Sequence, residues 1–337
     1  MRILVTGGVG YIGSHTVIQL IEGGHDVLIV DNLSNSDIRV LDRIKTITNK
    51  SLIFCKADIK NLIPLCEIFD NFKPEAVVHF AGLKSVSESV ENSILYYDNN
   101  VSGSITLLEV MTKYNCNKIV FSSSATVYGE PKYLPYDEYH PLNPINPYGR
   151  TKLMVEQVIN DWCSENKERS SISLRYFNPA GAHFSNLIGE NPLGKPNNLM
   201  PYMAKVAIGN LDTLEIFGND YNTVDGTGAR DYIHVVDLAS AHLSALAYLN
   251  KINGPEAFNI GLGAATTVLE LLKIFEQASG KKINYDIVNR RSGDLSVFWA
   301  DITKAKNKLA WAPVFNVFDM CNDTWNWQRQ NKEGFNP

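Results

Sequence analysis

The segment from Ile3 to Gly13 limits the fold more than any other part of the chain. Ile3-Leu4-Val5 is a short apolar run, glycines follow at 7, 10 and 13, and Thr16, Leu20 and Ile21 then recur at helical spacing. The order is strand, glycine turn, helix. The first glycine gap is one residue wider than in G-x-G-x-x-G, and each glycine has a mechanical use. Gly7 and Gly10 let the backbone turn and approach a pyrophosphate. Gly13 lets the helix pack close to the strand and present its N-terminus to the phosphates.

A second run, Asp26 to Val30, ends in Asp31, at the distance expected of a carboxylate that accepts from an adenosine ribose. The alternative is an ordinary turn aspartate. As a ribose ligand Asp31 favours NAD over NADP, because it would repel a 2′-phosphate and Asn32, Leu33 and Ser34 bring no positive charge. The alternation continues with strands at 51–55 and 76–80, a long helical pattern from Ser93 to Tyr114, and strands at 118–121 and 171–176. Strands and helices at this pitch predict an α/β fold, a doubly wound parallel Rossmann-type sheet with helices on both faces. Ligands in such sheets sit beyond the carboxyl ends of the strands, and the glycine loop, Asp31, Asp58, Lys84, Ser124 and Asn178 all fall there. Asp58 could cap the next helix or contact adenine. His79, inside an apolar strand, reads as a satisfied core histidine.

Composition narrows the partners. A net charge of −5 argues against nonspecific binding to nucleic acid or anionic membrane. Five cysteines without C-x-x-C spacing argue against a disulfide framework or a zinc site, and so for a reducing compartment. Met1 leads straight into an apolar strand and no apolar run is long enough to span a bilayer, so a cytoplasmic protein is expected.

Pro147 to Lys152 places Tyr148 four residues before Lys152 at the start of a helical pattern, so both side chains leave one face. A free phenol has a pKa of about 10. A cation roughly 5 Å away favours the phenolate by about 3 kcal/mol, on the order of two pK units. The expectation is a tyrosine base that titrates near physiological pH. Chance occurrence of Tyr and Lys at this spacing is the alternative.

The glycine spacing, the serine run at 122–124 ahead of Tyr-x-x-x-Lys, and Arg175-Tyr176-Phe177-Asn178 resemble the extended short-chain dehydrogenase/reductase family. More narrowly, Phe80 to Lys84, Tyr96 to Asn100, Ser122 to Gly129, Asn197 to Pro201 and Arg230 to Val235 resemble its UDP-hexose 4-epimerase branch, nearly end to end. The resemblance implies that UDP-glucose and UDP-galactose interconvert through a 4-keto sugar, as in galactose metabolism, by transient hydride transfer to tightly bound NAD. It makes Tyr148 the base, has Ser124 steady the 4-oxygen, and has Lys152 lower the Tyr148 pKa and bond the nicotinamide ribose. Besides the glycine loop and Asp31, it implies cofactor contacts at Tyr11, Ile12, Asn32, Asn35, Ser36, Asp58, Ile59, Phe80, Ala81, Gly82, Lys84, Asn99 and Phe177. Substrate contacts are implied at Asn178, Asn198, Leu199 and Tyr232, with Phe217 against uracil, Arg230 and Arg291 on the diphosphate, and Asp294 on the uridine ribose. Related 4,6-dehydratases carry an acidic pair after the serine or threonine. Here Ala125 and Thr126 stand there, so elimination lacks its acid. Many bacterial epimerases have tyrosine where this chain has Phe298, beside the sugar's C2 substituent, which implies poor acceptance of an N-acetyl group.

Beyond Asn178 the rhythm weakens into long loops, 181–198 and 217–230, and an irregular end containing Arg290 to Asp294. The boundary is expected to interleave: residues 1–177 plus about 232–260 for NAD, and 178–231 plus about 261–337 for the UDP-sugar. Family analogy adds a homodimer through helices at about 93–114 and 149–166. Two other readings stay open: a net oxidoreductase that releases reduced cofactor, and a noncatalytic NAD sensor, for which part of the Ser124, Tyr148, Lys152 set should be lost.

Overall fold

The computed structural model describes residues 1–192, 194, 196–291 and 294–335. Leu193, Lys195, Ser292, Gly293, Asn336 and Pro337, parts of the expected loops and chain end, lie outside them. Among the described residues the main sheet has seven parallel strands: β1 (Arg2–Thr6), β2 (Asp26–Asp31), β3 (Ile53–Lys56), β4 (Ala76–His79), β5 (Lys118–Ser122), β6 (Ser170–Tyr176) and β10 (Gly254–Ile260). β3 starts two residues later than its apolar run suggested. Alternate residues feed opposite faces. Ile3, Val5, Val27, Ile29 and Val78 join one apolar cluster, while Leu4, Leu28, Val30, Val77 and Phe121 join another. Helices α1 (Tyr11–Glu22), α2 (Val40–Thr48), α9 (Val235–Tyr248) and α11 (Thr303–Leu309) cover the first cluster. Helices α3 (Leu62–Phe72), α6 (Gly103–Lys113) and α7 (Pro147–Ser164) cover the second.

The strand order is β10-β6-β5-β4-β1-β2-β3, so successive strands step one way from β1 to β3 and the other way from β4 onward. The crevice between β1 and β4 is the switch point, where a ligand can enter beyond the strand ends. Gly7 lies in it at φ 68°, and a Cβ there would fall 2.7 Å from the Ala81 nitrogen. Only glycine fits that approach.

The smaller lobe is built on β7 (Asn178–Ala180), β9 (Ala229–His234), β11 (Ala265–Thr267) and β13 (Val297–Phe298), with a separate parallel pair, β8 (Leu214–Phe217) and β12 (Tyr285–Val288). Helices α8 (Leu199–Ala207), α10 (Val268–Ser279) and α12 (Val317–Gln330) enclose its core around Met203, Leu271, Phe275 and Met320. The strand that carries Tyr232 sits in this small sheet, and the chain rejoins the large lobe with α9, which packs on α1.

The helical pattern at 93–114 is not one α-helix. A short α5 (Ser93–Tyr96) passes into a π-helical turn at Tyr97–Ser102 before α6 begins. Another short helix, α4 (Val86–Glu91), precedes it. The wide turn brings Asn100 inward, where Oδ1 accepts from the Leu83 N–H at 2.8 Å and Nδ2 donates to the Leu83 carbonyl at 3.0 Å and to Thr151 Oγ1 at 3.1 Å.

Candidate active site

Helix α7 starts sharply because Pro147 occupies its first turn and Asn146 caps it, accepting from the Gly149 N–H at 2.8 Å. That start fixes Tyr148 and Lys152, which are 8% and 5% exposed, one turn apart under the end of β5. Lys152 Nζ donates to the Ser122 carbonyl at 2.7 Å. The Tyr148 hydroxyl bonds Ser124, which lowers its pKa, but burial dominates and pushes the phenol up to about 12. Burial likewise drives the Lys152 ammonium down to about 8, with the Glu156 carboxylate acting against that fall. The expectation of a tyrosine already poised near physiological pH is therefore corrected. Taking each group out of water dominates, and the ammonium is bonded to a carbonyl instead of the phenol.

Each serine of the 122–124 run is held separately. Ser122 bonds the Tyr176 hydroxyl, Ser123 Oγ donates to Glu156 Oε1 at 2.5 Å, and Ser124 Oγ accepts from Thr126 Oγ1 at 2.9 Å and from the Thr126 N–H at 3.2 Å. Behind them Arg175 and Glu156 form a buried two-point pair, 2.6 Å from NH2 to Oε2 and 3.0 Å from Nε to Oε1. Arg175 also reaches the Tyr128 hydroxyl at 3.2 Å. Neither Glu156 nor Asn100 was singled out from sequence. Glu156 falls four residues beyond Lys152 on the same helical face, a spacing that could have revealed it. The Asn100 contacts depend on the π-helical turn, which periodicity does not announce.

The crevice fits a dinucleotide. A Cβ on Gly13 would lie 2.3 Å from the Gly7 carbonyl oxygen, so the loop closes tightly on the helix start, and Gly10 offers no side chain to cap the first-turn N–H groups of α1. Those donors stand just after β1, beside the switch point, where a diphosphate would meet them. Asp31, 8% exposed, accepts from the Val9 N–H at 3.1 Å, the Leu33 N–H at 2.9 Å and Ser36 Oγ at 2.9 Å, which ties it to the loop. Asn32 Nδ2 donates to Asp58 Oδ2 at 3.0 Å, at the next strand end. Asp58 does not cap α3. Its Oδ1 takes the Lys60 N–H and Asn61 precedes the helix, because the connection runs on before the helix starts.

Other expected contacts have local duties. Tyr11 donates to the Gly181 carbonyl at 2.6 Å, and buried Ile59 packs under Gly103. Phe80 lies 4.7 Å from the His242 ring, and Asn99 Nδ2 donates to Asn100 Oδ1 at 3.0 Å. Gly82 leaves room beside Lys152 Nζ, 3.8 Å from where a Cβ would stand. Asn35 is exposed. His79 is a core histidine, bonded to Thr6 Oγ1 at 2.7 Å and Ser104 Oγ at 2.9 Å.

Across the crevice, Asn178 pairs in register with Tyr232, and the two line a cavity of about 40 Å³ with Asn198, Leu199 and Met200. Phe298 sits opposite Arg230 in the small sheet and wedges between Phe177 and Tyr136, with ring centres 4.8 and 4.9 Å away. Arg230 NH2 lies 3.5 Å from Asp294 Oδ1, and the Arg291 guanidinium stacks 3.7 Å over Phe217. These groups thus satisfy one another.

A family model described as GDP-mannose 4,6 dehydratase matches residues 4–324. The chain is 53% identical to UDP-glucose 4-epimerase of Dictyostelium discoideum, covering 99% of this chain and 97% of that one. It is 51% identical to UDP-glucose 4-epimerase of Bacillus subtilis (strain 168), covering 99% of both. Among solved structures, UDP-glucose 4-epimerase from Bifidobacterium longum in complex with NAD+ and UDP superposes with a TM-score of 0.96 at 45% identity, over 99% of this chain and 100% of that one. UDP-glucose 4-epimerase from Thermotoga maritima with UDP-glucose gives 0.86 at 32% identity, over 98% and 100%.

Proposed function

The chain belongs to the UDP-glucose 4-epimerase family of extended short-chain dehydrogenase/reductases, and from that premise we infer its chemistry: NAD-dependent, reversible inversion of C4 between UDP-galactose and UDP-glucose. Ser124, Tyr148 and Lys152 clustered at the strand ends, with Thr126 where an eliminating acid would be needed, are the observation that carries this reading over the dehydratase description of the family model.

The residue roles are our assignment. The glycine loop, the α1 N-terminus, Asp31, Asn32, Ser36, Asp58 and Lys84 hold the dinucleotide in the switch point. Bound NAD supplies the hydride acceptor for C4, the donor for its return, and a positive charge in the site. Tyr148 removes the proton from the 4-hydroxyl and restores it when the 4-keto sugar is reduced. Ser124, already fixed by Thr126, holds the 4-oxygen, and Lys152 favours the phenolate. Arg230, Arg291, Phe217 and Asp294 part from their present partners to grip the uridine diphosphate. The sugar is then free to turn its other face toward the hydride while the nucleotide stays anchored.

We assign the large lobe to NAD and the small lobe to the UDP-sugar. A homodimer is supported by exposed Val86, Val90, Ile94, Leu95, Ile105 and Met154, which lie on α4, α5, α6 and α7, helices that pack on one another. Five free cysteines fit a reducing cytoplasm, and no described helix is long and apolar enough to cross a membrane. The test is conversion of UDP-galactose to UDP-glucose by purified protein with no NAD added. Failure that persisted after adding NAD would overturn the reading.

A further inference from the structure

We propose that Glu190 is a positioning residue for the diphosphate of the sugar nucleotide: it holds the Asn198 amide off the end of its own helix, so that the Leu199 and Met200 N–H groups at the start of α8 stay open to phosphate. The inference rests on the reading above that Asn198 and Leu199 meet that diphosphate.

Asn198 stands at the N-cap of α8 in extended backbone, φ −85° and ψ 142°, yet its side chain makes no cap bond. Asparagine is among the strongest N-caps because its Oδ1 accepts from the first turn. Two others among the described residues do so. Asn146 takes the Gly149 N–H at 2.8 Å, and Asn316 takes the Phe318 and Asp319 N–H groups at 2.8 and 3.1 Å. Asn61 and Asn92 also lack the bond, but their ψ of 98° and 49° fall short of the extended geometry that Asn198 has.

Two things differ at Asn198: Pro201, at the third position of α8, has no N–H to give, which leaves the Met200 N–H as the cap donor, and Glu190 holds the amide away from it. Asn198 Nδ2 donates to Glu190 Oε1 at 2.7 Å, and an ionised carboxylate only accepts, so the amide nitrogen must face it. Glu190 is 9% exposed, and the same Oε1 receives Lys84 Nζ at 3.0 Å. Lys84 comes from the dinucleotide side of the crevice. Its charge balances a carboxylate that would otherwise repel an arriving diphosphate. The uncapped helix start opens on the cavity lined by Asn178, Asn198, Leu199 and Tyr232. An anion there gains the donors that a capped helix would have withheld.

The experiment is calorimetric binding of UDP, and of uridine as a ligand without phosphate, to the NAD-loaded protein and its variants. Glu190→Met fills the same space without an acceptor, and Glu190→Ala is the second variant should the first fold poorly. Either should weaken UDP about five- to tenfold, the value of one cap contact. Uridine binding and the thermal midpoint should hold, since Asn198 would now cap α8. Combined with Asn198→Ala, the loss should be no greater than for Asn198→Ala alone, because Glu190 acts through that side chain. Wild-type UDP affinity in both Glu190 variants, an equal loss for uridine, or additive losses in the double variant would overturn the proposal. Wild-type protein that bound UDP no better than uridine would instead sink the underlying reading of Asn198 and Leu199.

Discussion

The Lys152 ammonium lies 5.9 Å from the centre of the Tyr148 ring and gives its hydrogen bond to the Ser122 carbonyl. The two share no hydrogen bond, so Lys152 can act on the phenol only through its charge. Burial leaves the phenol at about 12 and the ammonium at about 8. Activity requires the deprotonated phenol, so kcat should rise with pH through the neutral range. Lys152→Met removes the charge that favours phenolate. The rising limb should then move to higher pH, with kcat at pH 7 down by about 100-fold if the interaction is worth two pK units. An unshifted profile would remove Lys152 from that role.

Tyr148→Phe should keep bound NAD and UDP affinity while kcat falls by about 100- to 10,000-fold, the usual worth of a positioned acid–base group. Steady-state rates together with cofactor content after purification check this. A variant that kept more than about a tenth of the rate would contradict Tyr148 as the base.

Phe298 packs between Phe177 and Tyr136 and is 8% exposed, a rigid wall with no hydroxyl. UDP-N-acetylglucosamine should turn over far more slowly than UDP-glucose. Phe298→Ala should narrow that gap while destabilising the fold by about 3 kcal/mol through the cavity it leaves. Comparing kcat/KM for the two sugars decides the first point, and denaturant unfolding the second.

Glu156→Ala should lower stability by about 3 to 5 kcal/mol, because it leaves the Arg175 guanidinium buried without its partner. Replacing both residues with apolar side chains of similar volume should cost much less. Urea unfolding of the single and double variants separates a needed pair from two separately needed residues.

Much of this architecture can be read from the chain because its signals are local. Apolar runs at 3–5, 26–30 and 118–121 fall in strands, the glycines at 7 and 13 occupy the positions where a side chain would clash, and Tyr148 and Lys152 share the face that the helix start gives them. What escaped depends on tertiary packing. Asn100 needs a π-helical turn to face Leu83 and Thr151, and Glu190 meets Lys84 and Asn198 from a loop without periodicity. The Tyr148 pKa went the other way because a spacing argument supplies the attraction but not the burial that opposes it.

The measurement that bears most directly on the account is the fate of the C4 hydrogen. UDP-galactose carrying deuterium at C4 is converted in ordinary water and the product is read by mass spectrometry and NMR. If hydride leaves C4 and returns to it within one turnover, the UDP-glucose formed keeps the deuterium at C4. Loss of the label to solvent would contradict hydride return and, with it, the mechanism assigned to Tyr148, Ser124 and Lys152.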